Sequence, residues 1–274
     1  MEQASEQFLG LAFVFANDYT TTPGFKPLPG THTDARALRS ALESLHFKCS
    51  VFTNLSAAEF ALELDRLTSS RAPDCCKYVV FSFCGHGNEQ SLFAQDGKEL
   101  PMGNLVDKFN ADQMKNLASR IRLLFIDACR GVRRDDGVML TVDSRGGKLL
   151  PYALLPLGSN MLVAYSTLNG YVSQEVKDGQ VSKSMWMPIL AEELAKTNES
   201  ILSVLTTVNR KMIEYSTELK RMNPLIFPQS HFVGYTLFVP CNLYHDAQMF
   251  GQWMSAGGYG TFVLCTHPGS HSIA

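Results

Sequence analysis

The stretch Ile121-Arg122-Leu123-Leu124-Phe125-Ile126-Asp127-Ala128-Cys129-Arg130-Gly131 decides how this chain of 274 residues is read. Residues 121–126 are largely apolar and have the length of a buried strand, which breaks abruptly into an acid, a small residue, a cysteine and then Arg130-Gly131. A strand ends in this way when its tip carries a nucleophile. A second stretch has the same build: residues 78–83 are mostly apolar and are broken by Cys84-Gly85-His86-Gly87. Cys129 and His86 are therefore expected to be partners.

Further out, residues 8–16 read as a buried first strand, followed by a Pro/Gly-rich loop over 22–30. Ala35, Leu38, Leu42 and Leu45 recur at helical spacing and predict a helix from about Asp34 to His46, with Thr33 as its N-cap. Residues 48–53 make a short second strand, and Ser56 with Glu59 forms a capping box before a helix that uses Phe60, Leu64 and Leu67. A hairpin is expected around Asp96-Gly97, then one or two short helices within 102–119. Residues 132–158 read as an exposed loop, 160–165 as a strand, 168–183 as a polar segment, 187–196 and 200–218 as helices, and 232–239 as a last strand.

Strands alternating with helices imply an α/β fold: a parallel sheet with helices on both faces. Such a sheet places its ligand site at the carboxyl ends of the strands, where His86 and Cys129 both fall. Neighbouring strands run about 4.8 Å apart, so side chains at two adjacent tips can meet. Residues 241–274 carry Phe250, Trp253, Tyr259 and Phe262 without clear periodicity, and no role is assigned to them.

Composition narrows the function classes. The chain is 45% hydrophobic and 18% charged, enough to fill a sizeable core, and its formal charge of −2 is scattered, so neither nucleic acid nor a membrane surface is expected as a partner. No apolar run approaches the roughly 18 residues of a membrane span, and the start Met1-Glu2-Gln3 lacks the basic head of a signal peptide, so a cytoplasmic location is expected. The seven cysteines show no paired CxxC spacing for zinc, which suits reduced thiols and calls for no metal.

A thiol of ordinary pKa, about 8.5, is only a few per cent ionised at neutral pH, so a cysteine nucleophile needs an imidazole or another positive influence nearby. The attacked carbonyl also needs donors for its developing oxyanion. Gly87, whose lack of a side chain lets its backbone N–H approach, and the amide of Cys129 are the candidates.

Cys84-Gly85-His86-Gly87 and Asp127-Ala128-Cys129-Arg130-Gly131, in that strand order, resemble the catalytic dyad of the caspase-like cysteine proteases, the clan of caspases, paracaspases and metacaspases. The resemblance covers roughly residues 8–240, including Pro29-Gly30-Thr31 and Ala164-Tyr165-Ser166-Thr167. It implies a caspase-like three-layer sandwich with a mostly parallel six-stranded sheet, a linker between subunits over 132–158, and a homodimer through the last strand, 232–239. Too few residues precede Phe8 for a recruitment module, so none is expected in this chain. No cofactor is implied; metacaspases often need calcium, but the acids here form no recognisable calcium loop.

The resemblance also bears on specificity. Caspases hold a substrate aspartate with two arginines and a glutamine, and those positions fall here on Leu28, on or near Glu175, and on Asp127. Paracaspases line the pocket with acids, and Asp34, Asp127 and Glu175 match their positions, which implies cleavage after Arg or Lys. Opposite charges at 4 Å in a partly buried site attract by about 4 kcal/mol and like charges repel as much, so such a pocket favours a cationic residue. Arg130-Gly131 remains caspase-like. Val142-Asp143-Ser144-Arg145-Gly146 resembles a paracaspase substrate, so self-cleavage after Arg145 is expected, whereas Asp136-Gly137 and Asp143-Ser144 keep an aspartate-cutting alternative open. A non-catalytic scaffold is the reading from another class.

Overall fold

The computed structural model describes residues 8–69, 76–110, 120–133, 160–167, 170–173, 175–178, 181–196 and 199–222. In chain order the elements are β1 (Gly10–Ala16), α1 (Thr31–Ser44), β2 (Phe47–Thr53), α2 (Ala57–Ser69), β3 (Tyr78–Cys84), β4 (Ser91–Phe93), β5 (Glu99–Pro101) and α3 (Met102–Lys108). There follow β6 (Ile121–Asp127), β7 (Gly131–Arg133), β8 (Met161–Tyr165), β9 (Gly170–Tyr171), β10 (Glu175–Asp178), β11 (Val181–Ser184), α4 (Trp186–Lys196) and α5 (Ile201–Met222). Among the described residues, five strands form one sheet in the order β2-β1-β3-β6-β8, every pair parallel. The last strand expected at 232–239, most of the 132–158 linker with Arg145, and the 241–274 extension lie outside the described residues.

Period-two alternation sends the side chains of each strand to two apolar layers. Ala12, Val14, Val80, Cys84, Leu123, Phe125 and Ala164 face α1, α4 and α5, around the fully buried Trp186. Phe13, Phe15, Phe81, Phe83, Leu124, Ile126 and Tyr165 face α2 and α3. This second layer is rich in aromatic rings, with Phe15 stacked on Phe52 at 4.8 Å and tilted against Phe81 at 5.2 Å. The result is an α/β sandwich of three layers. None of the described helices is long and apolar enough to cross a membrane.

Local chemistry explains most boundaries. The capping box before α2 is formed as expected: the Ser56 N–H donates to Glu59 Oε2 at 2.9 Å and the Glu59 N–H to Ser56 Oγ at 3.4 Å. Helix α1 starts earlier than expected. Its N-cap is Gly30, and Thr33 lies within the helix, its N–H donating to the Gly30 carbonyl at 2.9 Å. The Pro29-Gly30 turn already directs the chain into helix, while the Thr31 hydroxyl bonds to the Leu28 carbonyl instead of capping.

Two segments read as loops contain strands. Val132 and Arg133 belong to β7, which pairs with β9, and Glu175 opens the antiparallel hairpin β10–β11 rather than lying in an irregular loop. Both pairings are too short and too polar to show a hydrophobic period.

Candidate active site

The sheet register assembles the site. Ala16, Cys84 and Asp127 are aligned across β1, β3 and β6, and Tyr165 on β8 stands opposite Ile126. The chain leaves all of these tips on the same edge, the carboxyl end of a parallel sheet. Two backbone bonds tie the tips together beyond the ladder: the Asn17 N–H donates to the Cys84 carbonyl at 3.0 Å and the Gly85 N–H to the Asp127 carbonyl at 3.1 Å. His86 and Cys129 thus emerge from neighbouring strands, each two residues past its end.

Gly87 lies against the nucleophile segment. A Cβ at this position would stand 2.6 Å from the Cys129 carbonyl oxygen and 3.1 Å from Ala128 Cβ, so only glycine fits without displacement. Gly87 also faces Leu92 in an antiparallel bridge framed by Phe93 N–H to His86 carbonyl and Asn88 N–H to Ser91 carbonyl. In such a pair the central residues exchange no hydrogen bonds, so the Gly87 N–H is not consumed by Leu92.

His86 is held from three sides. Its Nε2 lies 2.7 Å from the Lys26 carbonyl oxygen, its backbone N–H donates to the Tyr19 hydroxyl at 3.1 Å, and its ring packs against Tyr19 and Phe25 at centroid distances of 4.6 and 5.5 Å. A carbonyl oxygen can only accept, so Nε2 carries the proton and Nδ1 presents a lone pair when the imidazole is neutral. The Cys129 thiol is half-buried and donates to the Ser173 carbonyl, 3.7 Å away.

The acids collect on the α1 side of the sheet. Asp127, at an odd-numbered position of β6 with Leu123 and Phe125, points toward α1, whose first turn carries Asp34. Both are buried, at 6% and 2% exposure. Asp127 Oδ1 accepts from Ser173 Oγ at 3.1 Å, and Ser173 Oγ lies 2.8 Å from Ser166 Oγ. Asp34 Oδ2 accepts from the Ser184 N–H at 2.9 Å, and the β10–β11 register sets Glu175 opposite Ser184. Both carboxylates act on the Cys84 thiol: burial pushes its pKa well up, and the charges of Asp127 and Asp34 push it further.

Leu28, at the position of the missing arginine, is buried at 8% exposure. Arg130 extends its guanidinium over the Tyr165 ring at 3.8 Å, and Tyr165 belongs to the opposite layer of the sheet from Asp127. The described residues hold no cluster of three or more His, Cys, Asp or Glu suited to a metal ion.

Among the sequence-derived candidates, His86, Gly87 and Cys129 gather at one sheet edge, with Asp127 and Asp34 beneath it; Glu175 is placed by its backbone alone, and Arg145 lies outside the described residues. Four contributors escaped the sequence reading. Lys26 and Ser184 act through backbone atoms, Ser173 lies in a polar segment without periodicity, and Tyr19 reads as an ordinary residue after the first strand. The one signal for Tyr19 was Gly85, which has no side chain where the phenol arrives.

Comparison with known proteins follows the same outline. Residues 9–230 match the family profile of the caspase domain. Caspase-1 of Spodoptera frugiperda is 33% identical over 209 residues, covering 74% of this chain and 67% of that protein. Caspase-1 of Drosophila melanogaster is 30% identical over 219 residues, covering 76% of this chain and 64% of that protein. The chain therefore spans about two thirds of the length of these curated relatives. The crystal structure of Caspase-1 from Spodoptera frugiperda superposes with a TM-score of 0.63 at 30% identity, covering 76% of this chain and 80% of that one. The structure of pro-sf-caspase-1 gives a TM-score of 0.64 at 27% identity, covering 78% and 81%.

Proposed function

This chain belongs to the caspase family of cysteine-type endopeptidases, and on that premise we propose that it cleaves peptides after Arg or Lys with the dyad of Cys129 and His86. Cys129 Sγ attacks the scissile carbonyl carbon while its proton passes to His86 Nδ1. The C–N bond then breaks, the imidazolium returns the proton to the leaving amine, and water hydrolyses the remaining thioester. The amides of Gly87 and Cys129 hold the oxyanion. The Lys26 carbonyl fixes the tautomer that makes Nδ1 the base.

The observation that supports this specificity is the pair of buried carboxylates, Asp34 and Asp127, whose charges both act on the buried Cys84 thiol at the tip of β3. Glu175 is proposed as the third acid, and the β10–β11 register, which sets its backbone opposite Ser184, supports this. A further buried carboxylate in this space, from a substrate aspartate, meets repulsion of the order of kcal/mol, whereas a guanidinium or ammonium offsets the charge of the acids. Fluorogenic peptides ending in Arg, Lys or Asp decide the matter: turnover of the Arg or Lys peptide is expected, and turnover of the Asp peptide alone would overturn the reading. Asp127→Asn is expected to lower kcat/KM for the Arg peptide by about a hundredfold. Aspartate cleavage is the second reading, favoured by the names of the relatives and by Asp136-Gly137 and Asp143-Ser144 in the linker.

The same specificity suits self-processing after Arg145, within Val142-Asp143-Ser144-Arg145-Gly146. Mass spectrometry of the activated enzyme is expected to show a fragment ending at Arg145; persistence of the intact chain in fully active enzyme refutes it. The peptidase domain spans 8–240, with 132–158 as its linker, and two copies associate through 232–239 as substrate binds. Sedimentation that finds only monomer with a peptide inhibitor bound rules that association out. A scaffold without activity is excluded by a thiol-reactive peptide probe that labels wild type and spares Cys129→Ala. Reduced thiols suit a cytoplasmic setting, and peptides, rather than nucleic acid or membrane, are the partners.

A further inference from the structure

Tyr19 lies far from Cys129 in sequence, yet several independent features converge on it. Its side chain is 1% exposed, its ring packs on the His86 imidazole at 4.6 Å, and its other side stacks on Phe25 at 5.3 Å and 14°. The hydroxyl donates to the Phe93 carbonyl and accepts the backbone N–H of His86 at 3.1 Å, so both its donor and an acceptor lone pair are engaged. The residue adopts φ of 53°, the left-handed region that bulky side chains avoid, and such a conformation persists only where the surroundings over-determine it. Its backbone N–H is held by Gln95 Oε1 at 3.2 Å, and Asp18 beside it is knitted to Asn54 and Thr20. Finally, a Cβ on Gly85 would come within 2.7 Å of the phenol oxygen. The residue before the histidine thus leaves room for the hydroxyl.

From this geometry we infer that Tyr19 is a positioning residue for the reaction, its hydroxyl bridging the backbones of His86 and Phe93 and its ring bearing on the imidazole so that Nδ1 is aimed at the Cys129 thiol. The Lys26 carbonyl fixes which nitrogen is the base, and Tyr19 fixes where that base stands. Phe93 belongs to β4, which is tied to the turn after His86 by the bridge between Gly87 and Leu92, so the same hydroxyl also spans the strand that frames the Gly87 amide. Burial raises the phenol's pKa, so the group remains a protonated donor across the working pH range.

The inference rests on the dyad of Cys129 and His86 and is independent of the Arg/Lys pocket, because hydrolysis is followed with whichever peptide wild type turns over. Tyr19→Phe keeps the ring and removes only the bridge. It is expected to lower kcat by about tenfold with KM within about twofold, since small misplacements of a catalytic group cost rate more than binding. The pH midpoint for alkylation of Cys129 by iodoacetamide is expected to rise in the variant, because a displaced imidazolium stabilises the thiolate less. Active-site titration should show an undiminished fraction of competent enzyme.

Wild-type kcat together with an unmoved midpoint overturns the proposal, and so does a fall in activity that matches a fall in titratable sites with the midpoint unmoved. Should Tyr19→Phe fail to fold, Gly85→Ala tests the bridge from the other side. Its Cβ displaces the hydroxyl, and the midpoint must rise there too; an unmoved midpoint counts against Tyr19. Failure of the dyad itself is told apart by wild type: an enzyme that hydrolyses no peptide overturns both readings, whereas an active wild type equalled by Tyr19→Phe overturns only this one.

Discussion

Two of the other described thiols are held protonated by their surroundings. Burial pushes the Cys49 thiol up to about 11, with the Glu43 charge adding to it and Arg39 opposing, and burial with the Asp127 and Asp34 charges holds Cys84 well above its ordinary value. At neutral pH a thiol of pKa 11 is ionised to the order of 10⁻⁴. Substoichiometric iodoacetamide at pH 7 is therefore expected to label Cys129 ahead of Cys49 and Cys84, as peptide mapping by mass spectrometry will show; prior labelling of Cys49 or Cys84 contradicts an activated Cys129. Gly87 is equally specific. Gly87→Ala sets a Cβ 2.6 Å from the Cys129 carbonyl, so kcat is expected to fall by about a hundredfold, comparable with loss of one oxyanion donor.

At the scale of elements, the sequence was most legible where apolar runs were long. The strands that lead to His86 and Cys129 stood out because each is buried on both faces and then broken by small or polar residues, and the same breaks singled out the two residues proposed as the dyad. Asp34, Asp127 and Glu175 were singled out through resemblance alone, and alternation along β6 explains why Asp127 faces α1 and not the layer of Ile126. What was hidden is carried by backbone atoms and by two-residue to four-residue pairings, which have no hydrophobic period to read: the Lys26 carbonyl, the Ser184 N–H, and the hairpin that carries Glu175. Ser184 illustrates the overlap of roles. Its hydroxyl accepts from the Trp186 and Met187 N–H groups at 3.0 and 3.2 Å, capping α4, while its own N–H serves Asp34. Ser184→Ala should cost about 1 kcal/mol and lower Tm by roughly 2–4 °C, with KM for the preferred peptide unchanged because the backbone bond survives. A raised KM would mean that the hydroxyl, too, serves the pocket.

For the molecule as a whole, folding buries groups that resist ionisation. Burial raises the pKa of the Cys84 thiol and the Tyr19 phenol above their ordinary values. A raised folded pKa contributes stability that is complete below the unfolded value and is lost as pH climbs through the folded one, because the unfolded chain releases its proton first. Stability should therefore decline above about pH 9, each group contributing a slope of up to about 1.4 kcal/mol per pH unit. Urea midpoints measured from pH 7 to pH 10.5 will show the decline, and Cys84→Ala should flatten its first part; an identical slope in the variant would remove the thiol from the account. The bond between His86 and the Lys26 carbonyl has a consequence for how this chain can vary. Every amino acid carries that oxygen, so this one bond does not depend on which side chain stands at position 26. Insertion or deletion of a single residue between Asn17, tied to the Cys84 carbonyl, and Leu28, tied to the Asp18 carbonyl, would instead move the oxygen off the imidazole. Selection must therefore preserve the length of that loop as strictly as it preserves Tyr19.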